Sequence, residues 1–346
     1  MFKFIDFINP WGQLAIAACV VIVAGSRLSR YGDALSQKLK LGQAWVGLMF
    51  MAFATSLPEL FTSTAAAGIE KAPNLSIGNC LGSIFFNLSI IVVLDFALKT
   101  RIIFTEASRR NIASQGLSVF LILIVCFALF LEAVRAADFV SPGIFKVSSL
   151  LILAFVVYLL GSWGLFRYEQ GGQISVEVPA RGELPSLRAI LGGYSLLLVI
   201  ILGGGLLLAH SGKRLSVEYN LDATFVGSIL LAISTSLPEL AVTFSAVRLG
   251  LYDLALGNIF GANIINIAII FLSDILYRPG QLLDQAMRLP GGRIHFLTIG
   301  LILLMNTWIL LGLVLRPKRR LWWFSWPSLA MAATYLIGVY ILFSLR

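Results

Sequence analysis

Two glutamates lie inside apolar stretches of the sequence, each directly after a proline and beside several hydroxyl groups. The first stretch reads TSLPEL from Thr55 to Leu60, and the same six residues recur from Thr235 to Leu240. Glu59 and Glu239 each follow a threonine by four residues, so a helix would place both side chains on one face. Carboxylates and hydroxyls are hard oxygen ligands, which suit Na⁺ and Ca²⁺ better than Zn²⁺ or Cu⁺.

The prolines of these motifs predict a break in each helix. Pro58 and Pro238 lack the backbone N–H that a continuous helix needs, so the carbonyls of Ala54 and Ser234, four residues earlier, lose their helical partners. Inside a membrane, an unpaired carbonyl is tolerated only where it is buried in protein or lines a polar cavity. We therefore expect a broken helix and a polar site at each proline.

A second repeated motif follows each glutamate and adds amide groups. The sequence GNCLGSIFFN corresponds to GNIFGANIIN 179 positions later, and both contain glycines spaced for close helix packing. Ser83 and Asn87 of the first copy share a helix face at i, i+4 spacing. Their counterparts in the second copy are Ala262 and Asn266. We expect the two asparagines to direct amide oxygens toward the glutamates, although such amides also serve to link helices.

The composition is that of an all-α polytopic membrane protein. Of 346 residues 58% are hydrophobic and 12% are charged, whereas soluble domains average about 25% charged residues. The alternating pattern of a membrane β-barrel is absent, which leaves helices as the spanning elements. We predict ten spans of roughly 20 residues each. They lie near 13–36, 43–69, 74–97, 112–133, 144–166, 188–212, 222–249, 252–275, 293–315 and 322–343.

The repeated motifs belong to a longer internal repeat. At an offset of 180 residues, Gly32 corresponds to Gly212, and Val46 and Gly47 correspond to Val226 and Gly227. Each half then contains five spans, and an odd number inserts the second half into the membrane upside down, as in many secondary transporters. The predicted units are a first five-helix repeat (1–166), a short linker (167–187) and a second, inverted five-helix repeat (188–346).

The distribution of basic residues predicts the orientation of the chain. The net charge is +9, and more than half of the 26 basic residues fall in loops on one side of the predicted bilayer. Lys and Arg favour the cytoplasmic side, which makes the 167–187 linker cytoplasmic and both termini external. The charge therefore reflects topology, and no nucleic-acid partner is expected. We expect a multi-pass protein of the plasma (inner) membrane.

Other polar residues in apolar segments carry less chemical information. Asp95 and Asp274 lie at predicted helix ends, where a solvated or helix-terminal role is the usual one, and His295 is expected at an interface. Three cysteines at unrelated spacings provide neither a disulfide framework nor a metal motif. No Ser–Lys, Asp–Asp or HExxH arrangement lies in a span, so we expect a protein that is not an enzyme and uses no cofactor.

The paired TSLPEL and GNxxGxxxxN motifs resemble those of the cation/Ca²⁺ exchanger superfamily, and within it the Na⁺/Ca²⁺ exchangers. The resemblance covers nearly the whole chain. It implies that spans 2, 3, 7 and 8 form the ion site and that spans 1 and 6 slide across the rest. The ion ligands that it implies are the backbone carbonyls of Ala52 and Ala232 and the side chains of Thr55, Ser56, Glu59, Ser83, Asn87, Thr235, Ser236, Glu239 and Asn266.

The resemblance implies an antiporter that exchanges Na⁺ for Ca²⁺ by alternating access, without an obligatory protein partner. Two departures concern the ligands: many prokaryotic members have Asp where this chain has Asn266, and Ser where it has Ala262. Asp is also typical of the K⁺-dependent branch, so Asn266 implies K⁺-independent exchange. An H⁺/Ca²⁺ exchanger of the same superfamily is the nearest alternative, and a Ca²⁺-permeable channel is a more distant one.

Overall fold

The computed structural model describes residues 9–39, 41–134, 143–144, 147–170, 185–218 and 231–345. Their helices are α1 (Pro10–Leu39), α2 (Gln43–Val46), α3 (Ala52–Thr55), α4 (Leu57–Gly68), α5 (Pro73–Ala97), α6 (Ile103–Glu106), α7 (Asn111–Val134), α8 (Ser149–Gln170), α9 (Leu187–Glu218), α10 (Ala232–Thr235), α11 (Leu237–Arg248), α12 (Tyr252–Leu276), α13 (Leu282–Arg288), α14 (Ile294–Leu315) and α15 (Trp326–Ser344). A π-helical turn, Gly47–Met51, joins α2 to α3. Two short antiparallel hairpins pair β1 (Gly143–Ile144) with β2 (Val147–Ser148) and β3 (Arg320–Leu321) with β4 (Phe324–Ser325).

Long apolar helices dominate the described part of the chain. Eight of its helices are long and apolar enough to cross a bilayer. The segments 43–55 and 57–68 form a further candidate span, which bends by 50°. The predicted span 222–249 begins in residues 219–230, and the predicted linker covers residues 171–184. Both of these stretches lie outside the described residues.

Two predicted span boundaries are wrong because short hairpins precede the helices. Span 5 was expected from residue 144, yet β1 and β2 occupy this region and α8 begins at Ser149. Span 10 was expected from residue 322, yet β3 pairs with β4 and α15 begins at Trp326. Trp322 forms the hairpin turn with a φ of 61° and is 94% exposed. At its other end α8 continues to Gln170, past the predicted start of the linker.

The helices α5 and α12 form the centre of the molecule. In each of them 72% of the most apolar stretch is buried, against 17–50% in the other six unbroken spans of the described chain. They carry the two GNxxGxxxxN motifs, and their burial shows that the motifs face protein rather than lipid.

Glycines bring α12 into backbone contact with the segment that precedes the first broken helix. A Cβ atom at Gly257 would lie 2.3 Å from the carbonyl oxygen of Ala44, and one at Gly261 would lie 2.2 Å from that of Leu48. Such distances exclude any side chain, and small residues that let backbones touch are typical of membrane helix interfaces. The predicted packing role of these two glycines is confirmed.

Two buried aspartates each bind the hairpin of the opposite half of the chain. Asp95, at the end of α5, accepts hydrogen bonds from the backbone N–H of Ile103 (3.3 Å) and of Ser325 in β4 (2.7 Å). Asp95 is fully buried, so the solvated role considered for it is wrong. Its carboxylate satisfies backbone donors at the starts of α6 and α15.

The counterpart of this arrangement lies at the end of α12. Asp274 accepts hydrogen bonds from the backbone N–H of Leu282 (2.6 Å) and of Ser148 in β2 (2.8 Å). It is 1% exposed and therefore not solvated either. Since Ser148 precedes α8 of the first half and Ser325 precedes α15 of the second, the two aspartates connect the halves reciprocally.

His295, which was expected at an interface, is also buried. Its side chain is 2% exposed, and Nε2 lies 3.1 Å from Oδ1 of Asn74. Asn74 in turn donates a hydrogen bond to the carbonyl oxygen of Pro290 (3.0 Å). Asn74 therefore connects the start of α5 both to the loop before α14 and to His295 in the first turn of α14.

The close approach at Gly261 predicts a strong effect of a single methyl group. Gly261→Ala should lower the melting temperature of the purified protein by several degrees or prevent folding, because a backbone carbonyl must move. Gly300→Ala in α14 is the matched control, since nothing lies within 4 Å of its Cβ position. The melting temperature of each variant is the temperature at which half of the monodisperse peak is lost in size-exclusion chromatography of heated samples. Equal melting temperatures of the two variants would contradict the assigned contact.

Candidate ion-binding site

Both TSLPEL motifs interrupt a helix at their serine. The helix α3 ends at Thr55 and α4 begins at Leu57, with φ −85° and ψ 6° at Ser56 between them. In the second copy α10 ends at Thr235 and α11 begins at Leu237, with φ −91° and ψ 7° at Ser236. Each proline then occupies the first turn of the following helix, where its missing N–H is no loss.

The two glutamates are each bound by a serine of the other motif. Ser236 Oγ donates to Glu59 Oε1 at 2.7 Å, and Ser56 Oγ donates to Glu239 Oε1 at 3.1 Å. These reciprocal pairs mean that the two interrupted helices run in opposite directions past each other. The serines, at the helix breaks, thus complete the surroundings of the carboxylate that the opposite half supplies.

Each carboxylate keeps one oxygen without a protein partner. Glu59 and Glu239 are both fully buried, and the Oε2 atom of each accepts no hydrogen bond from the described residues. No ion pair to either glutamate occurs within this part of the chain. A buried carboxylate needs paired charge or hydrogen bonds, so two incompletely bound carboxylates form an environment suited to a cation.

The threonines of the motifs lie one turn before the glutamates. Thr55 Oγ1 donates to the carbonyl oxygens of Met51 (3.1 Å) and Ala52 (3.3 Å). Thr235 Oγ1 repeats this geometry with Leu231 (3.1 Å) and Ala232 (3.3 Å). The carbonyls of Ala52 and Ala232 also accept the N–H of the following serine, at 2.9 and 3.0 Å. Hydroxyl and carbonyl oxygens are therefore concentrated at both breaks.

The asparagines of the second motif are fully buried in α5 and α12. Asn87 Nδ2 donates to Asn263 Oδ1 at 3.4 Å, while Asn87 Oδ1 has no hydrogen-bond partner among the described residues. For Asn266 neither amide atom has one. Buried amides normally satisfy their hydrogen bonds, so free oxygens at both positions are consistent with the predicted ligand role.

The site is asymmetric at the position four residues before these asparagines. Ser83 Oγ donates a second hydrogen bond to Glu59 Oε1 at 3.4 Å. Its counterpart Ala262 is equally buried but carries no hydroxyl. The environment of Glu239 therefore lacks one oxygen that the environment of Glu59 contains.

Several polar residues around the site were missed in the sequence. Asn79 Nδ2 donates to Ser63 Oγ (2.8 Å), and in the other half Asn258 Nδ2 donates to Thr243 Oγ1 (3.1 Å). Asn79 and Asn258 are the second residues of the two GNxxGxxxxN motifs, and the presence of Asn in both copies could have indicated these contacts. Asn263, which binds Asn87, gave no such signal because its counterpart is Ile84.

The arrangement provides carboxylate, hydroxyl and amide oxygens, and one softer group beside them, the Cys80 thiol, donates a hydrogen bond to Ser63 Oγ (3.3 Å). Within the described residues no group of three or more His, Cys, Asp or Glu side chains could hold a metal ion. The residues present therefore suit hard cations that accept mixed oxygen ligands, such as Na⁺ and Ca²⁺.

Comparison with known proteins places the chain among ion exchangers. The family model described as "Sodium/calcium exchanger protein" matches residues 9–164 and 189–345. The inner membrane protein YrbG of Escherichia coli is 29% identical over 78% of this chain and 80% of its own length. The uncharacterized membrane protein MJ0091 of Methanocaldococcus jannaschii is 31% identical, over 70% and 74%. The sodium/calcium exchanger MaX1 of Methanosarcina acetivorans is 27% identical, over 76% and 82%.

Solved structures share the fold. The sodium-calcium exchanger NCX_Mj, in crystals soaked with Na⁺ and Ca²⁺, superposes with a TM-score of 0.68 at 19% identity, covering 96% of this chain and 97% of its own. In crystals soaked with Na⁺ and Sr²⁺ the TM-score is 0.69 at 21% identity, with coverage of 96% and 98%. The family match covers both halves of the chain, including both interrupted motifs. This chain belongs to the sodium/calcium exchanger protein family.

Proposed function

We propose that the protein is a secondary antiporter that exchanges Na⁺ for Ca²⁺ across a membrane, without a requirement for K⁺. The observation that carries this proposal is the reciprocal pair of buried carboxylates, each bound by a serine of the opposite half and each with one oxygen left for a cation. The names of the relatives support it. The ions are the substrates, and no cofactor or obligatory protein partner is part of the proposal.

The proposed ligands are the oxygens gathered at the two breaks and on the two central helices. They are the carbonyls of Ala52 and Ala232 and the side chains of Thr55, Ser56, Glu59, Ser83, Asn87, Thr235, Ser236, Glu239 and Asn266. All of these residues are buried, and Glu59, Glu239, Asn87 and Asn266 each have an oxygen without a partner among the described residues, which supports this assignment.

The charge of the site links the two ions. Glu59 and Glu239 together supply two negative charges, which one Ca²⁺ or two Na⁺ neutralise. A third Na⁺ would leave the loaded site with one positive charge, which requires partial hydration of that ion. Since both ions use the same two carboxylates, Na⁺ and Ca²⁺ exclude each other, and an antiporter needs only to expose the site alternately on each side.

The proposed architecture is ten spans in two inverted five-span halves, 1–166 and 188–346, joined by the 167–187 linker. The second and seventh spans are broken next to their prolines, which places polar groups at mid-membrane. Alternating access follows when the first and sixth spans, α1 and α9, slide across the other eight. The likeness to NCX_Mj supports this arrangement.

The first prediction from the proposed function concerns the carboxylates. Glu59→Gln and Glu239→Gln should each reduce Na⁺-driven Ca²⁺ uptake into proteoliposomes at least 100-fold, because a single carboxylate cannot replace the hydration of a divalent ion. Asp284→Asn is the matched control, since this carboxylate binds Arg288 outside the site, and it should transport like the parent.

The same vesicles distinguish the coupling ion. Uptake that follows an imposed Na⁺ gradient supports the proposal, and uptake that follows only a pH gradient identifies an H⁺/Ca²⁺ exchanger. Ca²⁺ flux that no gradient drives uphill would indicate a channel. Near-parental exchange by a folded glutamine variant would remove the carboxylates from the assigned role.

The second prediction concerns K⁺ and the neutral amide of Asn266. The parent should exchange Na⁺ for Ca²⁺ equally well with and without K⁺, because two carboxylates leave no charge for a further cation. Asn266→Asp adds a third carboxylate that a proton or K⁺ can neutralise, so flux should become dependent on pH or K⁺ between about pH 6 and 9. K⁺ dependence in the parent, or an unchanged profile in a well-folded variant, would contradict the assigned role.

The third prediction concerns orientation. A thiol introduced by Ser175→Cys, in a background without the three native cysteines, should react with an impermeant reagent only from the cytoplasmic side. Inside-out and right-side-out vesicles provide the two sides. Labelling from the outside would invert the proposed topology.

A further inference from the structure

The helices α1 and α9 pack against each other in a symmetric way. Ser211 Oγ in α9 donates a hydrogen bond to Gln13 Oε1 in α1 at 3.4 Å. The residues at the corresponding positions, offset by 180, are Tyr31 and Gly193. They also meet, since a Cβ atom at Gly193 would lie 2.4 Å from the Tyr31 ring. Both halves thus make the same contact, and the two helices form one symmetric pair.

The contacts of this pair with the interrupted helices are not symmetric. A Cβ atom at Gly205 of α9 would lie 2.2 Å from Pro58 Cγ in α4. Its counterpart, Gly25 of α1, instead faces α11 at Ala241, where a Cβ atom would lie 2.9 Å from the alanine Cβ. With full symmetry Gly25 would face Pro238, which is three residues earlier. The two halves therefore differ by about 4.5 Å in helix register.

The two register differences describe one displacement. The interrupted helices run in opposite directions, as the reciprocal serine contacts show. A shift toward the end of α11 on one side is therefore the same movement as a shift toward the start of α4 on the other. The pair α1 and α9 is displaced as one body from the symmetric position. If the two halves exchange their contacts, the pair reaches a second state. In that state Gly25 lies at Pro238 and Gly205 lies at Phe61.

We propose that Gly25 and Gly205 are opposed conformational determinants, each permitting one of two end states of the sliding pair. In the state seen here a Cβ atom at Gly205 would lie 2.2 Å from the rigid proline ring, whereas one at Gly25 would lie 2.9 Å from Ala241 Cβ, a contact that is also too short but less severe. In the second state Gly25 would meet the Pro238 ring, and Gly205 would meet the side chain of Phe61, which is 49% exposed and can move aside. A methyl group at Gly205 therefore disfavours the present state, and a methyl group at Gly25 disfavours the other. The inference rests on the proposed alternating access but not on the identity of the transported ions.

The matched control lies on the same helix as one of the two glycines. Gly203 precedes Gly205 by two residues in α9, and nothing lies within 4 Å of its Cβ position. Gly203→Ala changes the intrinsic helix preference by the same amount without a steric contact. Any difference between this variant and Gly205→Ala therefore arises from Pro58.

The experiment measures the position of α1 along the membrane normal. Spin labels are placed at Ile16→Cys, 53% exposed in α1, and Thr100→Cys, exposed beyond the far end of α5. The background lacks native cysteines, and double electron–electron resonance is recorded in Na⁺, in Ca²⁺ and with neither ion. The two end states should give distances that differ by about 4.5 Å.

Opposite shifts of the distance distribution are the expected result. Gly205→Ala should deplete the population whose distance matches this structure, Gly25→Ala should enrich it, and Gly203→Ala should leave it as in the parent. If Gly205→Ala does not fold, the distance distribution of Gly25→Ala is compared with that of Gly203→Ala and tests the proposal alone. Shifts in the same direction, or distributions like that of Gly203→Ala, overturn the proposal.

The outcome separates this inference from the proposed function. Opposite shifts in a protein that fails to exchange Na⁺ for Ca²⁺ would keep the sliding pair and reject the ion assignment. Normal exchange in a parent whose glycine variants shift nothing would keep the exchanger and reject the role of Gly25 and Gly205.

Discussion

The structure depends on burying two carboxylates in an apolar layer without a basic partner among the described residues. A single charged side chain at the centre of a membrane helix carries a penalty of about 2.5–3.5 kcal/mol even on the most lenient scale. Glu59 and Glu239 offset part of it through hydroxyls of serines from the other half of the chain, Ser236 and Ser56, and Glu59 also through Ser83 of its own half. Neither half alone therefore surrounds its own glutamate, which makes the repeat a requirement of the site.

The rest of the fold positions these two glutamates. The helix breaks at Ser56 and Ser236 turn hydroxyl groups toward the opposite carboxylate. The central helices α5 and α12 supply amides, and backbone contact at the glycines of α12 fixes its distance from the first broken helix. Reciprocal anchors at Asp95 and Asp274 bind each hairpin to the other half. The asymmetric contacts of α1 and α9 contrast with this reciprocally fastened frame.

The sequence predicted which motifs meet in the structure better than it predicted the ends of the elements. A proline and a glutamate within an apolar stretch are informative because they are unfavourable there, and their recurrence 180 residues later makes the pattern specific. The hairpins could not be predicted, because two-residue strands in apolar, aromatic runs read as the beginning of a helix. The roles of Asp95 and Asp274 were also hidden, since their partners Ser325 and Ser148 lie far away in sequence. Asn263 was missed because its counterpart in the repeat is an isoleucine.

Mutually exclusive occupancy of the carboxylate pair is the central claim, and equilibrium binding tests it most directly. Ca²⁺ binding to the purified protein should be measured at a series of Na⁺ concentrations and fixed pH. The account predicts an unchanged number of Ca²⁺ sites and an apparent Kd that rises with a logarithmic slope of about two, since two Na⁺ replace one Ca²⁺. A Ca²⁺ affinity that is independent of Na⁺ would contradict the account.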